Sequence, residues 1–352
     1  MSSDTAVPGG FPRKRRPRYS GKNPRRYDQK YKEQNPQHHP ETIAKVLAAG
    51  KTPAGTHRPI LVAEILEVLQ PVHGNFAVDC TLGHGGHSVA ILEKIMPGGR
   101  LLAIDSDPLE MARTEKRLRE AGFDSSALRC SRSNFTALPR LLCEEERTRA
   151  DLILADLGVS SMQIDDPSRG FSIREDGPLD MRMNPTRGRS AAEFIATAQR
   201  DSLADILTQN SDEPFSAILA HGLAGRLFES THSIARAIRT LLHGKPSTAV
   251  ETSIRRVFQA IRIEVNDEFG ALEILLRNLP NSLVSGGRVA ILSFHSGEDR
   301  RVKKAFELGL QSGLYTNVSS NPVQAGPEER RQNTRSSAAK LRWAVRSEKP
   351  HA

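Results

Sequence analysis

Cysteine is scarce in this chain. Its 352 residues include three, Cys80, Cys130 and Cys143, at no paired spacing. That argues against a disulfide framework and suits a reducing compartment, so a cytoplasmic location is expected. No apolar run approaches the ~20 residues needed to cross a bilayer. The N-terminus also lacks the apolar core of a secretory signal, so neither a membrane span nor export is expected. No internal repeat is present. Acidic residues run short in one place: residues 1–58 hold 13 Lys/Arg against 4 Asp/Glu. The other 294 residues hold 37 of each, so the whole net charge of +9 lies in that first stretch.

What is there begins with the same stretch. Arg13-Lys14-Arg15-Arg16 leads into further cations, with Tyr19, Tyr27 and Tyr31 between them. Pro, Asn and Gln are frequent and apolar periodicity is missing, which predicts a disordered basic tail over 1–52. Composition leaves two readings open: a solubilising or localisation tail, and an anchor for polyanionic RNA whose tyrosines stack on bases. The rest of the chain favours the second.

The densest information lies in Val78-Asp79-Cys80-Thr81-Leu82-Gly83-His84-Gly85-Gly86-His87-Ser88. An apolar run ends in an acid, a glycine-rich turn follows, and then a helical pattern (Val89, Ile91, Leu92, Ile95). Strand, tight turn and helix start are how α/β folds bind a nucleotide-like ligand, because glycine lets backbone approach closely and the first helical N–H groups are free. A second apolar run, Leu101 to Ile104, ends in Asp105, placed to accept from a ribose. The dinucleotide fingerprint wants a third glycine where Ser88 stands, so a pyrophosphate cradle fits poorly. The turn reads better as the first motif of an S-adenosylmethionine-dependent methyltransferase. A nicotinamide-dependent reductase is the weaker alternative.

Strand patterns at 75–79, 100–105, 127–130 and 151–156 alternate with helical ones at 88–95, 109–121 and 135–142. Such alternation implies parallel strands covered on both faces, with ligands outside their carboxyl ends. Asp79, Asp105 and Asp156 fall at such ends. From Asp165 to about Thr252 the alternation stops. An Arg/Gly/Pro-rich loop precedes helical patterns at 191–208, 216–227 and 232–242, read as an inserted subdomain. One long helix is then expected, with apolar residues from Phe258 through Leu279 spaced by three and four. Gln259, Arg262 and Asn266 form a polar line on it, and a strand follows at 287–294.

Several motifs in this order carry a family likeness: Asp156-Leu-Gly-Val-Ser-Ser-Met-Gln163, Arg169-Gly-Phe-Ser, Gly177-Pro-Leu-Asp-Met-Arg-Met183, Phe258-Gln-Ala-Ile-Arg-Ile263 and Ser293-Phe-His-Ser-Gly-Glu-Asp-Arg300. Together they resemble the MraW-type family, the small-subunit ribosomal RNA methyltransferases H. The likeness spans His57 to about Lys304 and resumes weakly from Asn333 to Arg342. The chain departs from the family at Gly297, where leucine is usual, and at Ile254-Arg255-Arg256-Val257, where the family has Pro-Ala-Thr. The resemblance implies a doubly wound, Rossmann-like α/β fold that binds S-adenosylmethionine, interrupted by a helical insertion. It also implies methylation of the exocyclic N4 of a cytidine in the decoding region of 16S ribosomal RNA, as free RNA or in the 30S subunit. Carried over residue by residue, the cofactor contacts would be Gly85, Gly86, His87, Asp105, Phe135, Asp156 and Gln163. Reading the residues alone supports the glycines, Asp105 and Asp156 and says nothing of Phe135 or Gln163. The expected organisation is a tail (1–52), methyltransferase halves (53–164 and 253–310) around a helical substrate-recognition subdomain (165–252), and a basic C-terminal segment (311–352).

An amine attacking a sulfonium methyl needs mainly placement and an acceptor for its N–H proton. Methylation at C5 would instead need a cysteine nucleophile in the later motifs, and none stands there. The acceptor is open between Asp180 and His295, the latter beside a Ser296/Asp299 spacing that also reads as a helix cap. His84 and His87 fall far short of a metal ligand set, so no metal is expected. Arg169, Arg174, Arg182, Arg187 and Arg189 would either pair with nearby acids or grip phosphates around a splayed-out nucleotide, with Arg169 and Arg182 the leading candidates. Alternatives from these residues are a DNA amino-methyltransferase and a non-catalytic RNA-binding assembly factor.

Overall fold

Seven strands form one sheet in the order β3-β2-β1-β4-β5-β7-β6. The structure, a computed structural model, describes residues 59–348; the tail expected over 1–52 lies outside the described residues. Strands β1 (Phe76–Asp79), β2 (Arg100–Asp105), β3 (Leu128–Arg132), β4 (Ala150–Asp156) and β5 (Leu283–Ser293) are parallel. Order reverses on either side of β1, which pairs with both β2 and β4. That switch point leaves a crevice above the strand ends.

The strands read as nearly continuous apolar runs because both faces are covered. Phe76, Val78, Leu102 and Ile153 point into one cluster, completed by Leu138 and Leu141 of α4 (Leu138–Glu144), Leu272 and Leu275 of α11 (Glu268–Ser282), and Phe306 of α12 (Ser296–Gln311). Ala77, Leu101, Leu128 and Leu152 face the other way. They meet Ile65 and Leu69 of α1 (Val62–Leu69), Ile91 and Leu92 of α2 (Gly86–Ile95), and Leu118 of α3 (Pro108–Glu120). This is the period-two alternation of a strand turned into a three-layer sandwich.

After α5 (Ser161–Asp165), a third apolar cluster is built mainly from helices, with Leu179, Met181 and Phe228 added from the loops between them. α6 (Ala191–Thr197), α7 (Arg200–Ser211), α8 (Ser216–Leu223) and α9 (Thr231–Leu241) pack with α10 (Ser247–Asn266). Val250, Ile254, Val257, Phe258 and Ile261 of α10 belong to this cluster. The expected boundary between 252 and 253 therefore falls inside a helix. The single long helix expected through Leu279 is two, broken at Asp267, whose φ is 48°. Three-four spacing continues across the break, so periodicity could not reveal one left-handed residue.

The C-terminal segment, expected only as a basic stretch from 311, completes the sheet. β6 (Tyr315–Val318) and β7 (Lys340–Arg346) flank α13 (Pro327–Gln332), and β7 runs antiparallel between β5 and β6. Its cations hid the strand. Arg342 is buried because Asp299 on α12 pairs with it at 2.6 Å, and Lys340 reaches the same carboxylate at 3.1 Å.

Candidate active site

The crevice at the switch point holds a cavity of about 440 Å³. Gly85, Gly86, His87, Asp105, Phe135, Asp156 and Gln163 all line it, so the seven residues proposed from sequence meet in one place. Asp180 and His295 do not line it.

The glycine turn is held from three sides. Gly83 and Gly85 sit at φ 46° and 77°, a region costly for residues with a side chain. A Cβ on Gly85 would also stand 2.7 Å from Thr114 Cγ2. The Thr114 hydroxyl on α3 donates to the Gly83 carbonyl at 2.6 Å, and Arg117 donates to the His84 carbonyl at 2.8 Å. Below, Asp79 accepts from the Ser88 hydroxyl at 2.6 Å, fixing the first turn of α2 onto β1. Ser88, which spoils the dinucleotide pattern, is therefore a structural anchor.

Asp105 accepts from the Gly83 N–H at 2.7 Å with one oxygen and from the Asp107 N–H at 2.8 Å with the other. Burial outweighs these bonds and pushes its pKa up to about 6. Burial likewise pushes Asp156 up to about 6, helped by the charges of Asp79 and Glu298 and opposed by His87. Asp79 is raised for the same first reason. Six carboxylates line the cavity (Asp105, Asp107, Glu110, Asp156, Glu268 and Glu298) against two arginines, Arg262 and Arg335. Both arginines are already paired, with Glu268 at 2.8 Å and Asp165 at 3.1 Å. Such a field attracts a cation and repels a diphosphate.

Phe135 opens a single 3-10 turn after β3, set by Asn134, whose side chain accepts from the Thr136 N–H. Gln163 is committed at both ends: its Oε1 accepts from the Ser160 N–H at 2.8 Å, and its Nε2 donates to Asp107 at 2.7 Å. Asp107 is the hub that sequence reading missed. It caps α3, and it receives Gln163 and Arg169 on the same oxygen. The signal was present in Asp107-Pro108, a cap followed by proline in the first helical turn.

Arg169 corrects an expectation. It is buried at 8% exposure, donates to Asp107 at 2.8 Å and to the carbonyls of Arg182 and Met183, and so has no hand free for a phosphate. Buried donors must be satisfied, and this loop supplied the acceptors. Arg182 pairs with Asp180 at 2.7 Å and lies at 22% exposure. That pair holds Asp180 below the usual carboxylate range despite burial, and away from the cavity. His295 stands behind the wall, its Nε2 3.2 Å from Glu298 without hydrogen-bond alignment.

Among the described residues, ligand atoms of Glu268, His295 and Glu298 lie within 4.8 Å of one another. Arg262 supplies the cation there, through two bonds of 2.8 and 2.9 Å to Glu268. The polar line on the expected long helix thus has a use. Arg262 and Asn266 both face the cavity, and Asn266 accepts the Met183 N–H at 2.7 Å while donating to the Met181 carbonyl. The far wall comes from Asn333, Thr334 and Arg335, where the weak C-terminal likeness begins.

The sequence matches the MraW methylase family over residues 54–347. It is 43% identical over 344 residues to Ribosomal RNA small subunit methyltransferase H 1 of Agathobacter rectalis, covering 95% of this chain and 98% of that one. It is 38% identical over 300 residues to Ribosomal RNA small subunit methyltransferase H of Prochlorococcus marinus, covering 82% and 94%. Among solved structures, a putative rRNA-methylase from Clostridium thermocellum is similar at 11% identity and a TM-score of 0.39, covering 83% of this chain and 99% of that one. Among the described residues, no helix is long and apolar enough to cross a membrane.

Proposed function

Because the chain belongs to the MraW methylase family, we propose that it transfers the methyl group of S-adenosylmethionine to the exocyclic N4 of a cytidine in the decoding region of 16S ribosomal RNA. It is an S-adenosylmethionine-dependent ribosomal RNA methyltransferase. The observation that carries the finer reading is the acid-lined cavity at the switch point, a field suited to a cationic donor.

When bound, the donor supplies an electrophilic methyl on positively charged sulfur. In this reading the backbone of Gly85, Gly86 and His87 cradles it, and Asp105 keeps lone pairs for ribose hydroxyls. Phe135 lines the adenine slot, and Asp156 and Gln163 close the site. Holding donor and amine in line accounts for roughly 7–11 kcal/mol of the barrier in well-oriented systems. The chain's cysteines support N4 over C5. Cys80 is buried at the end of β1, and burial together with the Asp79 charge raises its thiol pKa far above the usual value. A thiolate nucleophile is unavailable from it.

The helical insertion, with α10 as its cavity-facing wall, reads as the substrate-recognition part. The basic tail reads as an RNA anchor, and the cytoplasm as the location. The substrate is 16S ribosomal RNA or the 30S subunit. The test is transfer of labelled methyl to 30S particles from a strain deleted for this enzyme. Labelled N4-methylcytidine in 16S RNA is expected; label on C5 or on a purine overturns the chemistry.

A further inference from the structure

Asp156 differs from its acidic neighbours in having nothing bound to it. Asp105 takes two backbone N–H groups, Asp107 takes Gln163 and Arg169, and Glu268 takes Arg262. Neither Asp156 oxygen accepts a hydrogen bond from any described residue. Oδ1 is wholly buried and unpartnered, and Oδ2 stands 3.5 Å from Nδ1 of His87. The side chain is still 20% exposed, on the cavity wall. A buried acceptor left unpaired destabilises a fold, so stability does not explain this residue.

His87 shows what the empty position is for. Its Nε2 lies 2.9 Å from the carbonyl oxygen of Ile60. A carbonyl only accepts, so Nε2 carries the hydrogen, and in the neutral ring Nδ1 turns a lone pair toward Asp156. Two lone-pair groups thus face each other with room for one proton. Sheet order adds direction. Asp105 ends β2 and Asp156 ends β4, on opposite sides of β1. They are two strand spacings apart, about 10 Å. On the far side of Asp156 the cavity continues to Glu298 and Arg262.

We propose that Asp156, backed by His87, accepts the proton that the substrate's amino nitrogen loses on methylation. This rests on the N4 reading given above. The nitrogen lone pair forms the bond to the methyl carbon while the carbon–sulfur bond breaks and its electron pair stays on sulfur. One N–H proton passes to Asp156, leaving a neutral methylamino group, and the carboxylic acid passes the proton to Nδ1 of His87 or to solvent. Asp156 is the catalytic residue in this step; His87 acts through it and is a positioning residue.

The charged groups facing Asp156 are His87 on α2, Asp79 on β1 and Glu298 on α12. The acceptor works only when ionised, so turnover at saturating cofactor rises with pH through about 6. Asp156→Asn keeps the shape and removes the acceptor. Because Asp156 also lines the cofactor site, calorimetry with S-adenosylhomocysteine sets the concentration at which the variant is saturated, and an undiminished melting temperature is expected. Single-turnover transfer to N4 is expected to fall by roughly 10²–10⁴. His87→Asn should move the acid limb of the rate profile to higher pH, which a packing role would not do. A readout free of turnover is carboxyl-labelled aspartate NMR of the parent, which should show a group titrating near pH 6 that Asp156→Asn abolishes and Asp105→Asn retains. Retention of the parental single-turnover rate in Asp156→Asn, or absence of that titration in the parent, overturns the proposal alone. Failure of the parent itself to label N4 overturns the functional reading and this step with it.

Discussion

Asp105 and Asp156 share a raised pKa for one reason, burial, but their bonding separates their tasks. Asp105 is tied to the glycine turn, so its loss is read in binding: Asp105→Ala is expected to weaken cofactor affinity at least tenfold by calorimetry while the protein stays folded, and unchanged affinity would remove it from the site. Asp156 is tied to nothing, so its loss is read in stability of the opposite sign. Its pKa is about 6 folded, against about 3.9 for an ordinary aspartate, so the native state binds more protons across that window. The ionisation penalty is absent near pH 4 and complete above 6, so its share of stability falls as pH rises. Asp156→Asn should gain on the order of 1–3 kcal/mol over the parent in urea unfolding at pH 7.5 and nothing near pH 4. The strand-end acids and the glycines were legible because strand, turn and cap rules act over a few residues. Glu298, Arg262 and Arg335 were not, since each earns its place only when distant segments meet above the sheet.

Besides their apolar packing, elements around the cavity are joined by a buried ion pair, Asp107–Arg169. Asp107 caps α3 and satisfies Arg169, which in turn ties down the loop ending at Met183. Asp107→Ala removes the cap and strands a buried guanidinium, a loss of about 3–5 kcal/mol. Arg174 also pairs with an acid, Asp165, but is 69% exposed. Arg174→Ala should therefore lose less than about 1 kcal/mol, and urea midpoints of the two variants check the contrast. From sequence both arginines belonged to one cluster, and spacing cannot say which one the fold buries. The α10–α11 break escaped for a related reason: hydrophobic periodicity reports which face is covered, not whether the axis continues.

At the scale of the whole molecule, the two ends of the chain have opposite standing. The N-terminal stretch carries all the excess charge, so deleting residues 1–50 should leave the melting temperature unchanged and flatten the salt dependence of RNA binding, by a slope of roughly 0.7–0.9 per lost phosphate contact. Truncation after Gln311 should abolish cooperative thermal unfolding, because β7 pairs with β5 over six residues and its neighbours wall the cavity. The doubly wound core was readable because β1, β2 and β3 are each followed at once by a helix that covers the sheet. The last strand was not, because its charges are neutralised by α12 from another part of the chain. That late strand enters between two strands that precede it in the chain, so β6 has no neighbour in the sheet until β7 arrives. The segment leading into β7 also carries Asn333, Thr334 and Arg335, so the pocket gains its last wall only when the sheet gains its last strand.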